Sequence, residues 1–223
     1  MPRVVDHEER RTLIARTFQR HVLVHGLAAT TFARVAASAG ISVGLIQHYF
    51  TNRDELLRFV YLDALRRRDD RIVAHIAEGE AAERPIRDML AAAVRELLPL
   101  DGTRTAEFHI TQNLLTQALH DPEIAEVAVR ADRDLHLRAS VAVRNGKKCG
   151  EVEPDVDADT AAARILATAH GLAIRLALTR PPTATASTGH VDAVLGPILA
   201  AVFTGRCHHH DRSRSNPDGS GES

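Results

Sequence analysis

The chain has 223 residues, of which 44% are hydrophobic and 4% aromatic, with no tryptophan. That is ample apolar material for a core in one or two domains, and its alanine- and leucine-rich usage favours helix over sheet. A formal net charge of -1 excludes a protein that is basic throughout, but residues 1–58 carry eight arginines and no lysine against five acids, a surplus of three over a remainder of −4.

The two cysteines, Cys149 and Cys207, stand far apart and are not spaced as a metal-ligand pair. A disulfide framework is not expected, and a reducing cytoplasm is the simpler reading. No apolar run reaches membrane-spanning length, and the opening MPRVVDHEERR lacks the apolar stretch of a signal peptide. The expectation is a cytoplasmic protein with no membrane partner.

Residues 1–9 read as a loose arm, with Arg3 a weak candidate for a minor groove. A first helix is predicted from about Glu9 to Val24, with Ile14, Phe18 and Val22 at i, i+4 and i+8 and Gly26 as its stop. The stretch Thr30 to Leu57 then predicts two short helices, a tight turn and the start of a longer helix. Phe32, Val35, Ala36 and Ala39 make one apolar face, and the Thr31 hydroxyl stands where it can cap the first turn. Gly40 turns left-handed without steric cost, Ile41 plugs the corner, and Ser42 caps a helix over Val43–Tyr49. Ile46 and Phe50 point back toward the first of the two. Gly44, Leu45, Gln47 and His48 are left on the outer side, with Val43 and Tyr49 at the margins. Asn52 and Glu55 read as a capping box for the next helix. Arg53 lies in its first turn, where a cation opposes the helix dipole and makes more sense beside a phosphate.

A rigid short helix with small, amide and aromatic groups outward is what a DNA major groove admits. Gln47 can pair with adenine through two hydrogen bonds, Leu45 can touch a thymine methyl, and Gly44 permits close approach of the backbone. The alternative is a helical hairpin in an ordinary all-α core. The pattern Thr30-Thr31, Ala39-Gly40-Ile41-Ser42, His48-Tyr49-Phe50 and Arg53-Asp54-Glu55-Leu56 resembles the N-terminal domain of TetR-family transcriptional repressors. That resemblance implies bases or phosphates near Thr31, Val43, Gly44, Leu45, Gln47, His48, Tyr49 and Arg53. The family often has tyrosine where Gln47 stands, which exchanges a phosphate contact for a base contact. Arg53 replaces the usual lysine and keeps its charge.

A long helix is predicted from Arg53 to about Ala77, roughly 35 Å at 1.5 Å per residue. Its Arg66-Arg67-Arg68-Asp69-Asp70 run reads as a solvated face, and Glu78-Gly79-Glu80 as its break. Pro85 suits a first helical position, opening a helix through Met89, Val94 and Leu98, and Asp101-Gly102 marks a turn. The next helix is expected over about Arg104 to Leu119. Asp121-Pro122 starts another that runs to about Arg144 and stops at Asn145-Gly146, with a loop over Lys147 to Asp157. Two further helices are expected, about Ala158 to Thr179 and about His190 to Phe203. A Pro-Pro and threonine-rich loop separates them, and Pro197 should kink the second. Residues 206–223 are polar and are expected to be disordered. Cys207-His208-His209-His210-Asp211 can chelate a metal, but adjacent histidines in a polar tail read as adventitious ligands, so neither metal nor cofactor is expected.

Leu97-Pro99-Leu100-Asp101, Ala118-Leu119 with Asp121-Pro122-Glu123, Gly150-Glu151 with Pro154-Asp155, and Gly171-Leu172-Ala173 resemble the C-terminal domain of BetI-type members of the same family. The implied fold is all-α. A three-helix helix-turn-helix domain (residues 1–52) is joined by the long helix to a helical effector-binding and dimerisation domain (53–205), followed by the tail (206–223). The expected partners are double-stranded operator DNA, a second copy of the chain packed through the last two helices, and a small-molecule effector. Candidate effector-lining residues are Phe59, Met89, Phe108, Gln112, Leu115 and His170, mostly apolar with one or two polar anchors, which suits a lipophilic or amphipathic ligand. For His170 a hydrogen-bonded core position is the competing reading. No phosphate-binding glycine loop, nucleophile elbow or His-Glu-x-x-His pair is present, so no enzyme is expected. The function expected is a repressor that its effector releases from a palindromic operator. A constitutive DNA-binding protein, and a helical interaction module without ligand-gated DNA binding, stay open beside it.

Overall fold

The structure, a computed structural model, describes residues 3–179 and 184–207, with side chains described from His7 and, in the last helix, from Gly189. The Arg3 side chain, residues 180–183 of the expected Pro-Pro and threonine-rich loop, and the tail from His208 onward fall outside the described residues. The described residues are all-α, as predicted, and no strand occurs among them. The helices are α1 (Arg3–His25), α2 (Phe32–Ala39), α3 (Val43–Tyr49), α4 (Arg53–Ala81), α5 (Ile86–Arg95), α6 (Gly102–Ala118), α7 (Pro122–Cys149), α8 (Ala158–Leu178) and α9 (Ala184–Val202). The chain forms two compact units, Met1–Asp70 with Leu97–Ala131, and Arg71–Glu96 with Asp132–Ser223.

In the first unit α1 packs against α2 and α6, and α2 against α3. Its core gathers Ile14, Phe18 and Val22 from α1, Val35 from α2, Ile46 and Phe50 around α3, Leu56 and Val60 from α4, and Ile110 and Leu114 from α6. Burying each such side chain contributes about 1.5–3 kcal/mol relative to leaving it in water. A buried polar network joins three of these helices. Arg67 of α4 lies 3.1 Å from the Asp63 carboxylate and 3.6 Å from Glu107 of α6, and donates to Gln19 of α1 at 2.5 Å.

In the second unit α8 packs on α9, and α5 contacts both. Contrary to the expectation that no stretch reaches membrane-spanning length, α8 is long and apolar enough by length and composition. Its Ile165, Ala169, Leu172 and Leu176 are nonetheless buried inside the unit.

Several boundaries differ from the sequence expectation, and two share one cause. Gly146 does not stop α7, which continues to Cys149. A Cβ on Gly146 would lie 2.7 Å from Val152 Cγ2 and 3.0 Å from Phe203 Cε1, so the glycine makes room for side chains lying on the helix. The stop is Gly150, at φ +90, where few other residues fit. Gly79 likewise continues α4 to Ala81, buried with the Met89 side chain against it. Pro85 is the N-cap of α5 rather than its first residue, and α5 ends at Arg95, short of Leu98. Asp101 accepts from the Arg104 N–H at 2.8 Å, so Asp101-Gly102 is a helix start rather than a turn. α1 begins at Arg3 rather than Glu9, so most of the expected loose arm over residues 1–9 is helical, and α9 begins at Ala184 rather than His190.

Gly146→Ala is expected to cost about 1–3 kcal/mol through overpacking against Val152 and Phe203. Gly102→Ala is the control, because a Cβ there would meet only Leu23 at an ordinary 3.8 Å, and the change should be neutral or stabilising by up to about 1 kcal/mol. Urea-unfolding midpoints of the two variants check both signs.

Candidate nucleic-acid interface

The helix-turn-helix is held by caps within a few residues of each helix end. Thr31 accepts from the Arg34 N–H, and Ser42 accepts from the Leu45 N–H at 3.1 Å. Gly40 sits at φ 65, and the Ile41 N–H closes the turn onto the Ala36 carbonyl at 3.0 Å. The Thr30-Thr31 pair divides its work. Thr31 is exposed, while Thr30 is buried and its hydroxyl donates to the Gly26 carbonyl at 2.8 Å.

Ile46 and Phe50 have no exposed surface, so they fix which face of α3 looks outward. That face presents Val43, Gly44, Gln47 and His48, all exposed, with Leu45 and Tyr49 half-buried beside them. The Tyr49 ring is flanked by His7 and His48, with centroids 4.8 and 5.3 Å away.

Arg11 of α1 braces the end of α3 and is not among the residues expected from the sequence. Its guanidinium lies 4.5 Å from the centroid of Phe50 and 4.7 Å from that of Phe59. It donates to the Tyr49 carbonyl at 3.2 Å and stands 3.5 Å from the Glu55 carboxylate. A cation at a helix C-terminus is favoured by the helix dipole. The one available signal was its place at i−4 from Ala15 and i−7 from Phe18, a charge extending an apolar face.

The capping box forms with a shifted partner. Asn52 Oδ1 accepts from the Glu55 N–H at 2.8 Å, while Glu55 Oε2 accepts from Thr51 N–H at 2.7 Å, one residue before the expected one. Arg53 is exposed at the start of α4, and its guanidinium donates to the Leu27 carbonyl at 2.6 Å. It therefore ties α4 to the α1–α2 connection, and a guanidinium has five donors, so this contact leaves capacity for a phosphate.

The six candidate effector residues are divided. Phe59, Phe108, Gln112 and Leu115 belong to the first unit and are half-buried; Met89 and His170 belong to the second. Phe59 lines a groove with Leu13 and Arg16 of α1 and Leu62 and Asp63 of α4. His170 is exposed, which removes the core-histidine reading.

Residues 85–200, just over half of the chain, match the family model for the C-terminal domain of BetI-type transcriptional repressors, and residues 22–60 match that for bacterial regulatory proteins of the tetR family. The chain belongs to the TetR family of transcriptional regulators. It is similar to the regulator TtgR of Pseudomonas putida, at 30% identity over 74% of this chain and 79% of that protein. It is similar also to BetI of Burkholderia cenocepacia, at 29% identity over 82% and 89%. With PksA of Bacillus subtilis, 25% identical, the match spans 57% of this chain and 60% of that protein. A solved transcriptional regulator from Saccharomonospora viridis, in complex with choline, shares the fold at a TM-score of 0.72 and 23% identity, over 85% of this chain and 96% of that one. As a TetR-family helix-turn-helix regulator the protein binds DNA, and its family is typically dimeric and ligand-responsive.

The corner between α3 and α4 is expected to weaken in acid. The Thr51 N–H holds the Glu55 carboxyl below the ordinary glutamate value of 4.5, with Arg11 adding to the effect. Stability from this group is full above the ordinary value and is lost as pH falls through the lowered folded value. Glu55→Gln is therefore expected to flatten the fall in urea midpoint on the acid side of 4.5, leaving the slope near neutral pH unchanged.

Proposed function

We propose that the protein is a repressor that reads a palindromic operator through α3 of two protomers and is released by a small lipophilic or amphipathic effector. The observation that carries this reading is the seven-residue α3, clamped by Ile46, Phe50 and Arg11, with Gly44, Gln47 and His48 exposed. Residues 1–52 take the DNA-reading role, with Gln47 on a base edge, Leu45 against a thymine methyl, and Thr31, Tyr49 and Arg53 toward phosphates. Residues 53–205 take the effector and the second protomer. The role is regulatory rather than catalytic, and it is exercised in the cytoplasm, where the DNA lies.

Pairing through the last two helices is supported by their outward faces. α8 exposes Ala163, Ala167, Gly171, Ile174 and Leu178, and α9 exposes Ala193, Pro197 and Ala200. Small side chains let helices approach closely, and two such faces close a four-helix bundle about a two-fold axis. His170 on the same side of α8 then faces the partner.

The BetI-type domain and the choline held by the Saccharomonospora viridis regulator make a quaternary ammonium the natural comparison ligand. Such a ligand is recognised by several aromatic faces. Residues 53–205 hold four aromatic side chains, of which Tyr61 and Phe203 are buried. That leaves Phe59 and Phe108, which suits a lipophilic ligand better.

Gln47→Ala is expected to cost about 1–3 kcal/mol on the cognate duplex and to relax preference at one base position. Arg53→Ala should weaken all duplexes alike and reduce the salt slope by about one, while Arg53→Lys, the usual residue of the family, retains binding. Selection of bound duplexes from a random pool, followed by titrations in salt, measures all three. A uniform loss for Gln47→Ala would remove it as a base reader.

On the selected duplex, apolar and amphipathic compounds are expected to release the protein, and choline to leave it bound. Release by choline alone would reverse the assignment of ligand class.

A further inference from the structure

The sequence spacing separates Cys149 from Cys207, yet the fold brings them together. Cys149 closes α7, and Cys207 lies beyond the end of α9. Their sulfur atoms and a carboxylate oxygen of Glu151 all lie within 4.8 Å of one another. Cys149 and Glu151 are buried and Cys207 is half-buried.

The approach is built into the backbone. The Gly205 N–H donates to the Glu151 carbonyl at 3.0 Å, and a Cβ on Gly205 would collide with the Gly150 carbonyl oxygen. Gly150 itself holds a positive φ, and Phe203 is buried over Gly146. Three glycines thus let the segment after α9 lie directly on the α7–α8 turn.

We propose that Cys149, Glu151 and Cys207 form a binding site for a thiophilic divalent cation of the zinc class. Two thiolates and a carboxylate are a donor set that zinc takes in tetrahedral geometry, with metal–sulfur distances of about 2.3 Å and metal–oxygen distances of about 2.0–2.2 Å. Donors around such an ion stand roughly 3.5–4 Å apart, within the separation found here. The carboxylate is already oriented by a second layer of contacts. Glu151 Oε1 accepts from the Ile86 N–H at 2.8 Å and Oε2 from the Arg87 N–H at 3.0 Å, at the start of α5. Fixing a ligand in this way raises metal affinity. The Cys149 thiol points at the same carboxylate, 3.4 Å from Oε1.

Binding replaces the two thiol protons, which pass to solvent, by one divalent ion. The fourth position is left to water or another donor. Bound metal fastens the segment after α9 to the α7–α8 turn and stabilises the second unit, independently of DNA recognition in the first.

The test uses the full chain, reduced, with cobalt(II) as the spectroscopic probe and zinc as competitor. The expected result is one cobalt per chain with a thiolate-to-cobalt charge-transfer band, displaced by zinc, and a higher Tm with zinc. Cys207→Ser should weaken binding by at least about tenfold, the lower end of what second-layer changes alone produce, and should abolish the rise in Tm. Because Cys207 is half-buried while Cys149 and Glu151 are buried, Cys207→Ser is the variant that disturbs the packing least. Replacing His208, His209 and His210 together by alanine should leave the band intact. The proposal is overturned by absence of the band, by unchanged band intensity and cobalt affinity in Cys207→Ser, or by loss of the band in the triple-histidine variant, which would assign the metal to the tail. It is equally overturned if the reduced protein binds no metal and the cysteines instead form a disulfide with peroxide.

Discussion

The Arg11 guanidinium is the contact on which the DNA-reading head depends. A seven-residue helix has too few internal hydrogen bonds to persist by itself, so α3 is helical and oriented because other elements hold it. Ile46 and Phe50 anchor its inner side, and Arg11 fixes its final turn. One side chain there lies over two aromatic rings, bonds a helix-terminal carbonyl and pairs with the first turn of α4. Each cation–π contact contributes about 0.5–2 kcal/mol, and a hydrogen bond to a charged group about 1.5–3 kcal/mol. These terms are not additive, but together they outweigh the low intrinsic stability of so short a helix.

The Arg67 network has a different character. Its partners Asp63, Gln19 and Glu107 are almost wholly buried, so removing them from water costs much of what their attraction returns. Apolar residues of similar volume would hold α1, α4 and α6 together at least as well. What the network adds is register: an arginine fork facing two carboxylates and an amide is satisfied in few arrangements of three helices. α6 is thereby locked to the helix that carries Arg11.

The features legible in the sequence are those written within four or five residues of themselves. Thr31, Gly40, Ser42, Asn52 and Glu55 act on their own helix ends, and each does so as the residue types require. Pro85 and Asp101 show the limit of the same signals: Pro85 marks a helix start but leaves its exact first residue open by one position, and Asp101, expected in a turn, is the cap of α6. Gly79 and Gly146 lie inside helices rather than at their ends; a glycine that ends a helix and one that receives a neighbouring side chain look alike in sequence. The difference lies in Met89, Val152 and Phe203, which arrive from elsewhere in the chain. Arg11 and the Cys149–Cys207 approach were hidden for the same reason, their partners being far away in sequence. The division of the candidate effector residues between two units belongs to this class too, because helical periodicity gives the buried face of each helix but not which helix covers it.

The charge pattern bears on how such a regulator discriminates. Phosphate contacts supply affinity for any duplex and weaken with salt; base contacts supply preference. The head carries a surplus of only three positive charges, and two of its cations, Arg11 and Arg53, are engaged with backbone carbonyls. Even doubled in a dimer, that surplus makes a modest electrostatic footprint beneath a chain whose total charge is -1. On the proposed reading the non-specific attraction is then modest, and preference for one sequence comes from the few side chains that α3 turns outward. Rigidity matters more under that condition than in a strongly basic protein, because a helix free to rock would spend its few directional contacts on several registers instead of one.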